Sequence, residues 1–443
     1  MKLREHCGVV AVRGKDAVEL TYELLKLHQH RGQESAGISA VVNGRLVTVK
    51  GLGTVEEALN YEEIRNLEST VAIGHVRYST TGRTTVEDSQ PLSNGSVAVA
   101  FNGTITNAYR EGYRLDTLFL LDLIASEKDP IAGVRKVFER ADGAYSAVAL
   151  NSSGKLTAFR DPKGFRPLVL GKIGDDLVVA SEDGPIRQLG GDVIRDVIPG
   201  EVVFLEEDHF AFTSVKPPES ATCSFEYIYF ARADSAIDGY SVYEARVRLG
   251  EMLGRNHRAE ADVAVPVPDS SVPIAIGYSR VTGTPLEYAL VRSYHSLRSF
   301  IMPTHDKRVT TIEEKFGVVV RAVSGKRVVL IDDSIVRGNT MKRLVSYLRN
   351  AGAKEVHVRV GSPPIRYPCY MGIDFPSRRE LIAYGRDEGA IAKEIGADSV
   401  EYLTVEEMIE AIGRKDLCHA CFTGKYPLRL SYKLEELEST FTR

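Results

Sequence analysis

The sequence has no long hydrophobic run, and its first residues, MKLREHCGVVAV, lack the apolar core of a signal peptide. These absences argue against a membrane-spanning helix and against export, so we expect a cytoplasmic protein with no membrane partner. An excess of one charge is also missing, because the net charge is only −4, and no general affinity for nucleic acid is predicted. The Walker loop G-x-x-x-x-G-K-[ST] is absent, which excludes that type of phosphate site.

Cysteine is scarce, with five residues in a chain of 443, and the odd number argues against a disulfide framework. Cys7 stands alone near the start. The other four lie beyond residue 220, and two of them form a C-x-x-C pair: Cys223, Cys369, Cys418 and Cys421. Four thiolates suit Zn²⁺ or an iron–sulfur cluster. The residues alone leave both open, with zinc the commoner choice.

The length predicts at least two domains, and the sequence pattern changes near Pro217-Pro218. Up to about residue 215 the chain is dense in short β-like runs separated by turns, with two helical patterns at 16–28 and around 116–126. This part predicts antiparallel sheets with helices, an α+β sandwich. Beyond the boundary, apolar strands alternate with helical patterns, among them one at about 340–350, which indicates a parallel sheet.

The stretch RVVLIDDSIVRGNTM, residues 327–341, combines a buried strand, two acidic residues and a polar loop before a helix. In open α/β sheets ligands bind at the carboxyl ends of strands. Asp332 and Asp333 at that end could hold ribose hydroxyls or Mg²⁺. The loop, with Gly338 for close backbone approach, suits a phosphate at the helix N-terminus. A strand tip with two solvated aspartates is the alternative.

This stretch resembles the signature of type I phosphoribosyltransferases, which bind phosphoribosyl pyrophosphate (PRPP). The resemblance implies that the acidic pair contacts the ribose and that the loop binds the 5′-phosphate. It also implies a Mg²⁺ site that includes Ser270, and a lid at about 292–321 that contains Arg298. The PRPP-binding residues implied in this way are Asp332, Asp333, Ser334, Arg337, Gly338, Asn339, Thr340 and Arg298, and the Mg²⁺ ligands are Ser270, Asp332 and Asp333.

Cys7 begins a predicted strand, CGVVAV, and two interpretations are open. A free cysteine is most often a small buried hydrophobic residue. Alternatively, Cys7 is an N-terminal nucleophile exposed by removal of residues 1–6, and its own α-amine then serves as a general base with an ordinary pKa near 8.

The segments around Cys7 in the first domain resemble the glutaminase domain of class II glutamine amidotransferases: HRGQESAGI, GHVRYSTTG, FNGTITN and FRDPKGFRPL. The resemblance implies that Cys7 attacks the glutamine amide and that Asn102 and Gly103 form an oxyanion hole. Glutamine would be held by Arg77, Asp116 and Gly32. The sequence departs from the family pattern at Leu118, where an acidic residue is usual, and at Phe101, where a histidine is frequent.

Taken together, the chain resembles the glutamine phosphoribosylpyrophosphate amidotransferase family, including the segment FEYIYFARADSAIDGYSVYEARVRLGEML. We therefore expect an N-terminal nucleophile sandwich joined to an α/β phosphoribosyltransferase domain. The expected divisions are a propeptide at 1–6, a glutaminase domain at 7–220 and a phosphoribosyltransferase domain at 221–443. The expected activity is the first committed step of purine synthesis, the formation of 5-phosphoribosylamine from PRPP and glutamine.

The resemblance also implies cofactors and partners. In one branch of the family four cysteines that match those beyond residue 220 hold a 4Fe–4S cluster, and that branch has a cleaved propeptide. Mg²⁺, inhibition by purine nucleotides and a homotetramer are implied as well. Two alternatives are a non-catalytic nucleotide-binding regulatory homologue, motivated by the divergent lid, and a sugar-phosphate-aminating amidotransferase, which the 327–341 stretch argues against.

Overall fold

The computed structural model describes residues 7–78, 85–292, 316–373, 375 and 377–428. Among these residues, no helix is both long enough and apolar enough to span a membrane.

The first half of the chain forms two antiparallel sheets. Its strands are β1 (Gly8–Arg13), β2 (Ser35–Val42), β3 (Arg45–Leu52), β4 (Val71–Arg77), β5 (Leu92–Ser93), β6 (Val97–Ile105), β7 (Gly143–Asn151), β8 (Leu156–Arg160), β9 (Val169–Ile173), β10 (Asp176–Ala180), β11 (Asp192–Asp196), β12 (Glu201–Leu205) and β13 (Phe210–Ser214). Its helices are α1 (Ala17–Leu27), α2 (Val55–Ala58), α3 (Tyr61–Arg65), α4 (Asp116–Ala125), α5 (Pro130–Arg140) and α6 (Gly184–Gln188).

The two sheets stack face to face and form a four-layer sandwich. The larger sheet has the order β11-β9-β10-β1-β4-β2-β3, and the smaller has the order β13-β12-β8-β7-β6-β5. Alternate residues of β1, such as Val9 and Ala11, pack on Ala98 and Ala100 of β6 between the sheets. Helix α1 covers the outer face of the larger sheet, and α4 and α5 cover that of the smaller. This α/β/β/α arrangement confirms the predicted sandwich.

The second half is built on a parallel sheet. Its strands are β14 (Thr222–Cys223), β15 (Ala236–Ile237), β16 (Tyr240–Ser241), β17 (Val263–Pro266), β18 (Leu290–Arg292), β19 (Phe316–Val318), β20 (Arg327–Asp332), β21 (Glu355–Val360), β22 (Ser399–Tyr402) and β23 (Leu417–Cys418). Its helices are α7 (Val242–Asn256), α8 (Val272–Thr282), α9 (Val320–Val323), α10 (Asn339–Asn350), α11 (Glu388–Ile395), α12 (Val405–Ile412) and α13 (Ala420–Thr423), with a π-helical turn at Glu226–Phe230.

Four parallel strands in the order β17-β20-β21-β22 carry helices on both faces. Helices α7, α8 and α12 contribute to the core on one face, and α10 and α11 to the core on the other. Both faces are therefore apolar, which explains the continuous hydrophobic runs of these strands. The predicted parallel α/β domain is confirmed.

A short parallel pair ties the end of the chain to the start of the second half. Strand β14 pairs with β23, so that Cys223 lies opposite Cys418. Around this pair, Ala144 and Phe165 of the first half pack against Tyr370 and Met371 of the second. The two halves thus meet next to the cysteine region.

Candidate active site

Cys7 and Arg77 lie at the same edge of the larger sheet. Strand β1 runs antiparallel to β4, and Gly8 is the partner of Val76. The residue before Gly8 therefore lies beside the residue after Val76. The predicted nucleophile and the predicted glutamine clamp are neighbours, although 70 positions separate them in the sequence.

The Cys7 thiol is partly buried and lies near charged side chains. Its Sγ lies 3.7 Å from the carbonyl oxygen of Tyr78, to which it donates, and the carbonyl of Cys7 accepts a hydrogen bond from Arg31 Nε at 3.1 Å. Burial raises the pKa of the Cys7 thiol, while the nearby Arg77 and Arg31 lower it and Asp116 raises it. The thiol thus needs a base to become a nucleophile. The guanidinium groups of Arg77 and Arg31 can then stabilise the thiolate.

Asn102 is a fully buried amide without a hydrogen-bond partner among the described residues. It lies on β6, and neither its Nδ2 nor its Oδ1 has a partner. His75 of β4 contacts the carbonyl of the preceding Phe101 at 3.2 Å, which brings this part of β6 against the strand that carries Arg77. A buried unpaired donor is costly unless a ligand uses it, as an oxyanion hole requires.

Gly103 follows Asn102 with φ +144, in a region that favours glycine. A Cβ at this position would lie 1.8 Å from the carbonyl oxygen of Ala144. Gly372 of the second half packs against the other side, since its own Cβ would lie 3.0 Å from the carbonyl carbon of Gly103. The backbone of the predicted oxyanion hole is therefore fixed from both sides.

Asp116 and Gly32 complete the predicted glutamine site. The carboxylate of Asp116 accepts hydrogen bonds from the backbone N–H groups of Ile105 at 3.2 Å and Thr117 at 2.9 Å. Burial raises the pKa of Asp116 to about 6, against these bonds and the nearby Arg77. Gly32 lies directly on the backbone of Arg77, where a Cβ would approach to 2.6 Å. The structure thus places Cys7, Arg77, Gly32 and Asp116 near one another, and Asp116 is bonded to Ile105 at the end of the strand that carries Asn102 and Gly103.

In the second half, a cleft opens at the carboxyl end of β20. Its lining includes seven predicted PRPP-binding residues and Tyr229: Asp332, Asp333, Ser334, Arg337, Gly338, Asn339 and Thr340. Ser270 lies beside them, because its Oγ donates to Asp333 Oδ2 at 2.5 Å. Ser334 Oγ donates to the other oxygen of the same carboxylate at 2.7 Å. Asp333 is thereby fixed and buried, and Asp332 is partly exposed to the cleft.

The loop after Asp333 ends at the N-terminus of α10. Gly338 precedes the helix in the left-handed conformation, with φ +79, and a Cβ there would lie 2.3 Å from Cδ1 of Ile382. The first N–H groups of a helix have no partner within the helix, and they face an anion favourably. This geometry can hold a phosphate at one end of the cleft and ribose hydroxyls at the other.

The four cysteines beyond residue 220 converge where the halves meet. Cys223 and Cys418 are strand partners, and the carbonyl of Cys421 accepts from the N–H groups of Arg366 and Tyr367, just before Cys369. Burial raises the pKa of all four thiols, that of Cys223 to about 11. The charges of Cys369, Cys418 and Cys223 further raise the pKa of Cys421, as expected for sulfurs that lie near one another.

Comparison with known proteins covers both halves of the chain. The model of the glutamine amidotransferase domain family matches residues 75–188, and that of the phosphoribosyl transferase domain family matches residues 248–361. The chain is 42% identical to the amidophosphoribosyltransferase of Methanothermobacter thermautotrophicus, over 99% of this chain and 98% of the relative. It is 46% identical to that of Pyrococcus horikoshii, over 96% and 97%.

The chain belongs to the amidophosphoribosyltransferase family. A solved structure, glutamine PRPP amidotransferase from B. subtilis complexed with ADP and GMP, has a TM-score of 0.89 at 39% identity. The match covers 97% of this chain and 99% of that one. Similarity to curated enzymes along the whole chain supports a catalytic protein of purine biosynthesis and not the non-catalytic regulatory homologue.

Three predictions lie outside the described residues: the propeptide 1–6, Arg298 and most of the lid 292–321. The described ends of the lid lie side by side, because Arg292 of β18 is the strand partner of Phe316 of β19. Arg292 also donates to Asp269 at 2.5 Å, next to Ser270.

Sequence reasoning missed several residues that the structure places next to an amidophosphoribosyltransferase site. Arg31 holds the Cys7 carbonyl, Glu226 holds Arg31, and Tyr229 lines the cleft of the second half. Arg31 lies within the quoted HRGQ motif and Glu226 within FEYIYFARADS. A charged residue in each motif was a signal of a polar role. The ion pair between Arg31 and Glu226 spans 195 residues, however, and no periodicity in the sequence predicts it.

Proposed function

We propose that this chain is a glutamine-dependent amidophosphoribosyltransferase, which converts PRPP, glutamine and water into 5-phosphoribosylamine, glutamate and pyrophosphate. The observation that carries the proposal is that one chain holds both half-sites. One is a thiol on the same sandwich as an unpaired buried amide, and the other is an acidic cleft that ends at a helix N-terminus. Membership of the family along the full length agrees with this assignment.

In the first half-site the Cys7 sulfur attacks the side-chain amide carbon of glutamine. The thiol proton passes through the base to the amide nitrogen, the C–N bond breaks, ammonia leaves, and water then hydrolyses the thioester to glutamate and the free thiol. The Asn102 amide and the Gly103 N–H stabilise the oxyanion, a contribution typically of about 3 kcal/mol per donor. The raised pKa of the Cys7 thiol means that a base must remove its proton. If residues 1–6 are removed, the α-amine of Cys7 supplies that base.

In the second half-site ammonia attacks C1 of PRPP and pyrophosphate leaves. Asp332 and Asp333 hold the ribose hydroxyls, and the N-terminus of α10 holds the 5′-phosphate. Both groups keep the sugar fixed while its C1 gains positive charge, which orients the attack and lowers its entropic cost.

Mg²⁺ fits this cleft as a partner of the substrate. No set of three acidic, histidine or cysteine residues in the described part of the chain is arranged to hold an ion by itself. Mg²⁺ typically uses one or two carboxylates plus substrate phosphates. We assign Asp332, Asp333 and Ser270 to its surroundings, where it would neutralise the pyrophosphate as that group leaves.

The four converging cysteines suit an iron–sulfur cluster. They come from three separate segments, and Cys223, Cys418 and Cys421 are buried while Cys369 is partly buried. Four cysteine thiolates are the usual ligand set of a 4Fe–4S cluster, and the family resemblance favours that cluster over zinc. Cys223, Cys369, Cys418 and Cys421 would hold it, and binding would release their protons. A role in structure follows, since the reaction transfers no electrons.

Four further properties belong to this proposal. The relative solved with ADP and GMP supports purine nucleotides as feedback inhibitors. A homotetramer is predicted from the family resemblance, and a cytoplasmic location is predicted from the sequence pattern. The domain limits 7–220 and 221–443 agree with the change from antiparallel sheets to the segment that starts at β14.

The proposal is tested by separating the two half-sites. Cys7→Ala should abolish glutamine-dependent synthesis of phosphoribosylamine but keep ammonia-dependent synthesis, because the cleft is untouched. Asp333→Asn should lower both, because it acts on PRPP. The assay is run anaerobically on mature protein, whose first residue is checked by mass spectrometry. Equal loss of both activities in Cys7→Ala, or active protein that still begins at Met1, contradicts the assignment.

A further inference from the structure

A buried group of four charged residues lies behind the nucleophile. Glu226 receives both terminal nitrogens of Arg31, at 2.9 and 3.1 Å, and Arg166 at 3.4 Å. Glu182 binds the same Arg31 from the other side. All four side chains are at most 1% exposed, and the two positive and two negative charges balance.

This group reaches a reacting residue at one end. Arg31 uses its third nitrogen, Nε, to hold the carbonyl of Cys7 at 3.1 Å. Arg31 carries no bond to Arg77 or Asp116, the residues assigned to glutamine. The guanidinium therefore fixes the backbone of the nucleophile, and its own position depends on the two carboxylates that hold it.

At the other end the group reaches the second half. Glu226 begins the π-helical turn whose Tyr229 lines the PRPP cleft. Arg166 donates to the carbonyl of Met371, two residues after Cys369 and next to Gly372, which packs on Gly103. Glu226 is thus a residue of the second half whose contacts determine the position of Arg31 in the first.

We infer that Glu226 is a positioning residue for glutamine hydrolysis: from the second half of the chain it orients Arg31 and, through Arg31, the Cys7 nucleophile. The inference rests on the proposed function. Glu226 touches no substrate, so its effect falls on the orientation of Cys7 and not on glutamine binding. Glu182 alone cannot replace it, because Glu182 also binds His30, Ser235 and the N–H of Arg232.

A matched control exists in the same interface. Asp238 also pairs with two buried arginines from distant segments, Arg160 at 2.6 Å and Arg414, but no member of that group contacts Cys7. Arg160 also donates to the backbone carbonyl of Arg166 at 2.7 Å, a bond that Asp238→Asn leaves in place, so this variant reports the loss of an ionic link in the same interface that does not hold Arg31.

The test compares Glu226→Gln with Asp238→Asn in the mature protein. We expect Glu226→Gln to lower kcat for glutamine at least tenfold, with KM for glutamine and ammonia-dependent synthesis within about twofold of the wild type. In Asp238→Asn the two activities should change by the same factor. An equal loss of both activities in Glu226→Gln, an unchanged kcat, or a rise confined to KM overturns the inference.

Arg31→Lys covers the case in which Glu226→Gln fails to fold. It keeps the positive charge but cannot reach Cys7 and Glu226 together, so the same selective loss of kcat is expected, and an equal loss of both activities overturns the inference. Glutamate release reports Cys7 independently of synthesis. If the wild type makes no phosphoribosylamine from ammonia and PRPP, the proposed function fails, while the glutamate assay still decides the role of Glu226.

Discussion

At the scale of single residues, Asn102 is a side chain that serves the reaction and not the fold. Because its amide has no partner among the described residues, Asn102→Ala removes no hydrogen bond of the resting protein. We expect glutamine-dependent turnover to fall about 100-fold or more, as when an oxyanion donor is lost. Steady-state kinetics and thermal unfolding, measured side by side, check the separation of activity from stability.

Gln90 is the matched control for Asn102. It is also a buried amide against β6, but its Oε1 accepts the N–H of Phe101 at 2.7 Å. Gln90→Ala should therefore destabilise the protein more than Asn102→Ala does, by about 1–3 kcal/mol for the unpaired N–H. Unchanged glutamine turnover in Asn102→Ala would contradict the oxyanion assignment.

Asp116 makes glutamine use dependent on pH. Its pKa is raised to about 6, so the carboxylate is protonated below that pH and can pair with the α-amine of glutamine only above it. Below the limb near pH 8 expected for the α-amine base, we expect kcat/KM for glutamine to fall more steeply as pH drops through about 6, with no such second limb in ammonia-dependent synthesis at constant free NH3. In Asp116→Asn the second limb should vanish and KM for glutamine should rise.

The same substitution should lower activity but raise the stability of the folded protein at neutral pH. A carboxyl whose folded pKa exceeds its unfolded value favours the folded state at low pH, and this contribution is lost as pH rises through about 6. Asp116→Asn should therefore unfold at a higher temperature than the wild type at pH 7.5. A lower unfolding temperature there would show that the ionised carboxylate stabilises the fold.

Residues with local chemical signatures could be proposed from the sequence, and residues defined by distant partners could not. Short motifs contain Cys7, Asn102 and Asp332, so the adjacent residues in the sequence indicate which chemistry each could perform. Glu226 is a glutamate in an otherwise apolar and aromatic stretch, and only the fold brings Arg31 and Arg166 to it. Its role could not be deduced from the sequence.

At the scale of elements, the turn into α10 tests the phosphate assignment. Gly338 has φ +79, and a Cβ would meet the side chain of Ile382 at 2.3 Å. Gly338→Ala should raise KM for PRPP at least tenfold and leave glutamate release unchanged, because the loop amides can no longer approach the phosphate closely. Kinetics with varied PRPP provide the measurement.

Gly396 separates the effect of backbone strain from the effect on the ligand. It ends α11 in the same half with φ +77, and a Cβ there meets nothing within 4 Å. Gly396→Ala should cost about 1 kcal/mol of stability and leave KM for PRPP unchanged. If the two variants change KM for PRPP equally, the loop of Gly338 has no special relation to the phosphate.

Elements with a strong local pattern were predicted closely. The helices expected at 16–28, 116–126 and 340–350 are observed at Ala17–Leu27, Asp116–Ala125 and Asn339–Asn350. The expectation of only two helices in the first half was wrong, because α2, α3, α5 and α6 are also present. Helix α5 has an Asp129 cap and Pro130 at its start, and both residue types are local signals of a helix N-terminus.

At the scale of the whole molecule, both fold classes followed from sequence, but the docking of the halves did not. The two-residue strands β14 and β23 exist only because they pair across almost 200 residues, and no local pattern predicts such a pairing. The contact of Gly372 with Gly103 has the same origin. The half that binds PRPP therefore supports the backbone of the predicted oxyanion hole directly.

The cysteines offer a test of how this docking is maintained. Cys223 lies in the segment that joins the halves and Cys418 near the end of the described chain, so a cluster would link both to Cys369 and Cys421. Protein purified without oxygen should contain about four irons and four sulfides per chain. Cys418→Ser should lose that iron and unfold at a lower temperature, and glutamine-dependent activity should fall with it because β23 adjoins the residues that support Gly103. Cys7→Ser is the control, since it should keep its full iron content while losing glutamine use. Zinc in place of iron, or loss of iron from Cys7→Ser, would contradict the assignment of the four cysteines.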